Sequence, residues 1–213
     1  MKTEELLSLL SARLEPVDRG RSQWRFFKAW GMGLMGSLAL TAGVLRVNAA
    51  LSAELRLPMF WVRAAFCASL ALAAVAVLRR LARPGIRQGF VPVTLVMPIL
   101  AMWVLALAAL AHAPSADRQS LVLGHTARVC PWLIALLAVP LFATLIWAVR
   151  GFAPTRLRLA GAATGFAAGA GGALAYTLHC PELAAPFLGL WYLLGMLIPT
   201  AIGALVGPHL LRW

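Results

Sequence analysis

Acidic residues are scarce in this chain and poorly placed for transport chemistry. It holds 7 Asp and Glu against 19 Lys and Arg, and none of the acids falls at the centre of a long apolar run. Ionisable groups inside a membrane mark ion paths, proton relays and substrate sites, so their lack argues against a proton-coupled transporter. His112, Asp117, His125, His179, Glu182 and His209 lie only at borders or in connections. Walker, GxGxxG, HExxH and GxSxG patterns are missing, which removes the common nucleotide, zinc-protease and serine-hydrolase chemistries. With 3 cysteines and no CxxC, a thiol oxidoreductase has weak support. No internal repeat is evident. The opening MKTEELLSLLSARLEP alternates charge with leucine and lacks the apolar core and cleavage site of a signal peptide, so the N-terminus is expected to be retained.

What is present is apolar. Hydrophobic residues make up 62% of the 213 and charged ones 12%, a balance foreign to soluble globules. Six stretches are each about 20 residues long, the length a bilayer core requires: 29–47, 60–78, 90–111, 131–149, 159–178 and 185–206. The expected fold is therefore an all-α integral membrane protein, a six-helix transmembrane bundle with both termini cytoplasmic. It divides into a cytoplasmic tail at 1–28, a transmembrane domain at 29–207 and a short cytoplasmic end at 208–213. Charge sets that orientation. Under it the outer face keeps Arg46, Arg56, Arg63, Arg118 and Arg128, and the inner face receives the rest of the 19 basic residues. The localisation that follows from composition and charge is multi-pass in a membrane.

Within the spans, Gly161, Gly165 and Gly169 recur at four-residue spacing and leave one helix face almost free of bulk. Bundle packing is the plain reading, with a dimer face or a moving helix as the other two. Pro98, Pro140 and Pro199 lie inside apolar runs and can bend their helices.

Two cysteines arrive at the same expected face. Cys130 stands in TARVCPW and Cys180 in LHCPELAA, each followed by Pro, which places its sulfur at a helix boundary. An external compartment permits a disulfide. The residues leave three readings open: a structural bridge, a redox or metal-responsive pair, or two unrelated buried thiols. Two thiolates can hold a soft metal, with His125 and His179 as auxiliary ligands. Cys67, inside the second stretch, reads as a packing residue.

Before the first span, Leu6, Leu7, Leu10 and Leu14 form a stripe on a short helix that Thr3 can cap and Pro16 ends. A helix of that length is marginal alone. Its polar face carries Glu4, Glu5 and Glu15 against Lys2 and Arg13, which suits a soluble partner better than an anionic membrane surface. The next segment, VDRGRSQWRFFKAW, mixes basic and aromatic residues as an interfacial anchor against membrane lipids does; no direct nucleic-acid binding is expected.

Several segments carry a resemblance: MKTEELLSLLSARLEPVDRG, RPG at Arg83–Gly85, GFAPTRLRLAGAATG, and the last 41 residues from ALAYTLHCPELAAP to HLLRW. Together they resemble the NrsF-type membrane anti-sigma factor family over essentially the whole chain. That resemblance implies a six-helix inner-membrane protein that restrains an extracytoplasmic-function (ECF) sigma factor at its cytoplasmic face and releases it on an external signal. It implies that Cys130 and Cys180 are the sensing pair and that the four tail leucines face sigma, with the inner connections at 79–89 and 150–158 as further contributors. No enzyme activity and no cofactor are expected, and nothing specifies self-association. A small-solute or metal permease is the alternative, and a quinone-linked membrane thiol oxidoreductase a weaker one.

Overall fold

A computed structural model describes residues 19–81, 91–152 and 154–212. Eight helices follow one another among them. Helix α1 (Arg19–Leu40) runs into a π-helical turn (Thr41–Leu45), and α2 (Leu51–Glu54) is a single turn. Then come α3 (Pro58–Leu81), α4 (Val91–His112), the short α5 (Arg118–Leu123), α6 (Cys130–Arg150) and α7 (Leu157–Tyr176). The last, α8, spans Ala185–Leu210 and contains a second π-helical turn at Leu188–Tyr192. The tail helix with Leu6, Leu7, Leu10 and Leu14, and most of the connection at 79–89, lie outside the described residues.

The six-helix transmembrane bundle is corrected. Among the described residues, four helices are long and apolar enough to cross a membrane: α3, α4 from Val93, α6 and α8. Helices α1 and α7 are long but fall short, for different physical reasons. The first turns of α1 carry Arg19, Arg21, Arg25 and Lys28. Helix α7 is mostly alanine and glycine, residues that contribute little transfer free energy, and it is buried by protein. Its partners are α8, α6 and α3, so it is the core of the bundle. A long run without charge is not enough; the hydropathy of the side chains along the helix decides the count.

The glycine stripe explains how α7 sits so deep. A Cβ at Gly161 would overlap the Gly203 carbonyl, and one at Gly165 the Pro199 carbonyl. One at Gly169 would meet the Met196 Cα at 2.9 Å. From the other side, a Cβ at Gly203 would run into the Gly161 carbonyl and one at Gly207 would lie 2.8 Å from the Leu157 carbonyl. Small residues thus face small residues across the α7–α8 seam, and the two backbones touch. The glycine face is a packing face within one chain.

Helix α1 docks on α6 in the same manner, with Gly33 against Leu141 and Gly36 against Pro140. The buried Ser37 hydroxyl donates to the Leu137 carbonyl at 2.7 Å, beside the point where Pro140 interrupts the amide ladder. Arg25 donates to the Trp147 carbonyl at 2.8 Å and lies over its ring at 4.4 Å, and Lys28 lies over the exposed Trp24. Arg150 bonds the Leu210 carbonyl. Arg79, Arg80 and Arg156 lie at the same end of the bundle as Arg25 and Arg150. The opposite end holds α2, the start of α3, and the turns before α6 and α8. A core cluster lies towards each end. Helix α4 is peripheral, its buried side chains among the described residues being Met102 and Ala106.

The seam makes a sharp expectation. Gly165→Leu should lower the thermal stability of the detergent-solubilised protein by about 3 kcal/mol or prevent accumulation, since backbone rather than a flexible side chain occupies the space. Gly43→Ala, where a Cβ meets nothing within 4 Å, should leave stability within about 0.5 kcal/mol. Equal melting temperatures for the two variants would dismiss the seam.

Candidate functional site

The end opposite the arginine-rich one is built around sulfur. Cys130 opens α6 with Pro131 at the first helical turn, and its amide donates to the Thr126 carbonyl at 2.9 Å. Cys180 follows the last turn of α7, its amide on the Tyr176 carbonyl at 3.0 Å. Chain order separates these residues by 50 positions, yet the α6–α7 contact brings their side chains together. Both are completely buried free thiols, and they hydrogen-bond to each other. The Tyr176 phenol joins them. Tyr192, its ring centroid 5.8 Å from that of Tyr176, carries a buried hydroxyl with no well-formed hydrogen bond, close to Cys180. Cys67 is buried in the same cluster, one turn beyond Arg63 on α3.

Cys180 is the acidic member of the pair. The hydrogen bond from the Cys130 thiol is the largest influence on it, opposed by burial. The Tyr192 hydroxyl, the Glu182 backbone and the Arg63 charge add to it, and the result holds the Cys180 thiol down to about 6 from an ordinary 9.0. Its thiolate therefore persists above pH 6 and is lost as pH falls through that value.

Arg63 is the residue that organises this end. The sequence places it among the outer-face charges, and its side chain is fully buried. Its Nη1 donates to the carbonyls of Cys180 at 2.7 Å and Glu182 at 2.9 Å. Its Nη2 donates to the Thr177 carbonyl at 2.9 Å and pairs with Glu54 Oε2 at 3.2 Å. The other oxygen of Glu54 accepts from Asn48 Nδ2 at 2.5 Å, and the Asn48 amide donates to the Leu178 carbonyl at 2.9 Å. The turn that carries Cys180 is thus tied on every side. The carbonyls at the end of α7 have no helical donors of their own, and a cation there meets the negative end of the helix dipole.

The auxiliary histidines are near but turned to other work. His179 Nδ1 lies 2.8 Å from the Arg46 carbonyl, and its ring packs 5.7 Å from that of Tyr176. His125 is exposed and contributes its backbone amide to Glu182 Oε1 at 2.7 Å. Among the described residues no three His, Cys, Asp or Glu side chains converge as metal ligands would. Sequence reasoning missed Glu54, Tyr176, Tyr192 and the role of Arg63. One signal was available for Arg63, a charge inside the apolar run that begins at Phe60. Glu54 offered none, since its partner is nine residues on and across a bend.

The profile of the NrsF family, described as negative regulator of sigma F, matches residues 10–213. The chain belongs to this family. Among NrsF relatives, the "probable anti-sigma-F factor NrsF" of Azospira oryzae is 46% identical over 213 residues, covering all of both chains. The "anti-sigma-F factor NrsF" of Caulobacter vibrioides is 36% identical over 219 residues, again with full coverage of each. No solved structure matches the chain significantly. The family resemblance carried by a few segments of the sequence therefore extends from end to end.

Two measurements address the site. Titrating the S–H infrared band, with Cys180→Ser to assign it, should show Cys180 losing its proton near pH 6; a midpoint near 9 would contradict the arrangement. Arg63→Leu strands Glu54 and three carbonyls in an apolar interior and should cost about 3–5 kcal/mol of stability, read by thermal unfolding. A loss under about 1 kcal/mol would mean that the buried charge network is dispensable.

Proposed function

We infer that this chain is a membrane-embedded anti-sigma factor that holds a sigma factor at the cytoplasmic face of a bacterial inner membrane. The observation that carries the reading is the end-to-end match to the NrsF family and to two relatives named for that role. Four apolar helices make the protein multi-pass, and the family is one of regulators rather than enzymes. The permease and thiol oxidoreductase readings fall away with it. The arginine-rich end, with Arg79, Arg80, Arg150 and Arg156, takes the cytoplasmic side by the positive-inside bias, and the thiol end the other.

On this reading Cys130 and Cys180 are the sensing pair, and oxidation, metal binding or a thiol-reactive compound at the pair is the signal. The support is chemical. A thiolate retained near neutral pH reacts faster with soft electrophiles and metals than an ordinary thiol, which is mostly protonated there. The pair also joins the start of α6 to the end of α7, so a change at sulfur alters how two packed helices meet. About 1.4 kcal/mol of preference for the sigma-free arrangement lowers sigma affinity tenfold. Helix α6 then runs about 31 Å to Arg150 at the basic end, a rigid path for that preference. Leu6, Leu7, Leu10 and Leu14 supply the sigma-facing surface, together with the basic connections that follow α3 and α6.

The test is a pull-down of sigma with the full-length protein in native membranes. Deleting residues 2–20 should reduce retained sigma by about tenfold or more, and Cys180→Ser should abolish release on a thiol-reactive stress with unchanged protein level. Sigma retention equal to wild type after the deletion, or normal release from the Cys180 variant, would refute the tail or the thiol assignment respectively.

A further inference from the structure

We infer that Arg63 is the positioning residue of the thiol pair: it holds the turn 177–182 closed so that Cys180 lies against Cys130, and it carries the state of that turn into α3. The inference rests on the thiol-sensing reading above and adds to it a named coupling element.

The geometry is specific to a guanidinium. Arg63 spends two donors of Nη1 and two of Nη2 on four acceptors, three of them carbonyls on both sides of Cys180 and the fourth Glu54. A planar fork with fixed donors can satisfy that set; a lysine ammonium, with three donors from one point, cannot. Its Nε is buried without a partner, so the side chain tolerates an unmet polar atom in order to reach the turn. The ring closes through Glu54, Asn48 and the Leu178 carbonyl, so the α1–α3 connection grips the same turn from its other edge.

The turn is also tied to the other cysteine. Glu182, whose carbonyl Arg63 holds, accepts the His125 amide with its carboxylate. His125 begins the segment that leads through Thr126 to Cys130. Any change in how the two sulfurs meet must therefore either move with the carbonyls on Arg63 or break away from them. Arg63 lies in the second turn of α3, whose last turn carries Arg79 and Arg80 at the basic end. One helix thus connects the thiol turn to the cytoplasmic face.

A merely structural arginine would stabilise the protein without governing the thiols, and two readouts separate these roles. The full-length protein, with sigma bound in native-membrane vesicles, is labelled with N-ethylmaleimide and the modification of Cys180 followed by peptide mass analysis. Arg63→Lys keeps the charge and loses the fork; it should raise Cys180 labelling about tenfold and release about four-fifths of the sigma without any inducer. Leu211→Ala, in the other core cluster and on neither α3 nor α6, is the control for general destabilisation and should leave both near wild type. Labelling of Arg63→Lys within about twofold of wild type, or an equal rise in Leu211→Ala, overturns the positioning role. Raised labelling with full sigma retention overturns the coupling to α3. If Arg63→Lys does not accumulate, Glu54→Gln, which removes the counter-charge of Arg63 and one of the two acceptor oxygens but none of its carbonyl bonds, should raise labelling about threefold, and no rise there overturns the inference. Labelling reports on the clamp whether or not sulfur is the sensor; normal release from Cys180→Ser would refute the sensor alone.

Discussion

A single guanidinium, sealed from solvent among apolar helices, holds one end of this bundle in shape. Moving a charge of that kind out of water is costly, and the cost is met only where geometry supplies a counter-charge and acceptors for its protons. Arg63 finds Glu54 and three carbonyls. Those carbonyls belong to the end of α7 and the turn after it, where the helix has run out of donors. Each group answers a deficit of the other: the cation lacks water and the helix end lacks N–H groups.

The placement of the sulfurs follows from that arrangement. Cys180 sits in the middle of the clamped turn, and its neighbours are a thiol, two phenols and the same cation. A buried thiol by itself becomes less acidic. Here the Cys130 hydrogen bond outweighs burial and leaves Cys180 acidic. The opposite end of the molecule has a different character, with arginines bonded to helix-terminal carbonyls and stacked on tryptophan, and a separate core cluster beneath. The glycine seam between α7 and α8 links the two ends by backbone contact, a form of packing that transmits small displacements because no flexible side chain intervenes.

Legibility was uneven, and for physical reasons. The helical stretches are visible because apolar residues run on for about twenty positions, and the packing role of Gly161, Gly165 and Gly169 is visible in their spacing. The count of membrane-crossing helices was misjudged because α7 looks apolar by the lack of charge, whereas alanine and glycine supply little hydrophobicity and the helix is covered by its neighbours. Cys130 and Cys180 could be named from their boundary positions before Pro. Their tyrosine neighbours could not, since Tyr176 and Tyr192 meet only when α7 and α8 pack. Arg63 reads in sequence as a marker of orientation, as charges near the ends of apolar runs usually are; its acceptors lie on segments far along the chain.

By itself the sequence determined the membrane setting, the family and the two sulfurs, since each depends on residue type and order along one segment. Only the tertiary structure decided that Arg63 lies inside, that Glu54 and Asn48 complete its shell, and that the end of α7 is tied to Arg63 and Asn48. Those outcomes depend on which surfaces meet across distant segments, and a buried charge can be told from an exposed one only when its partners are in place.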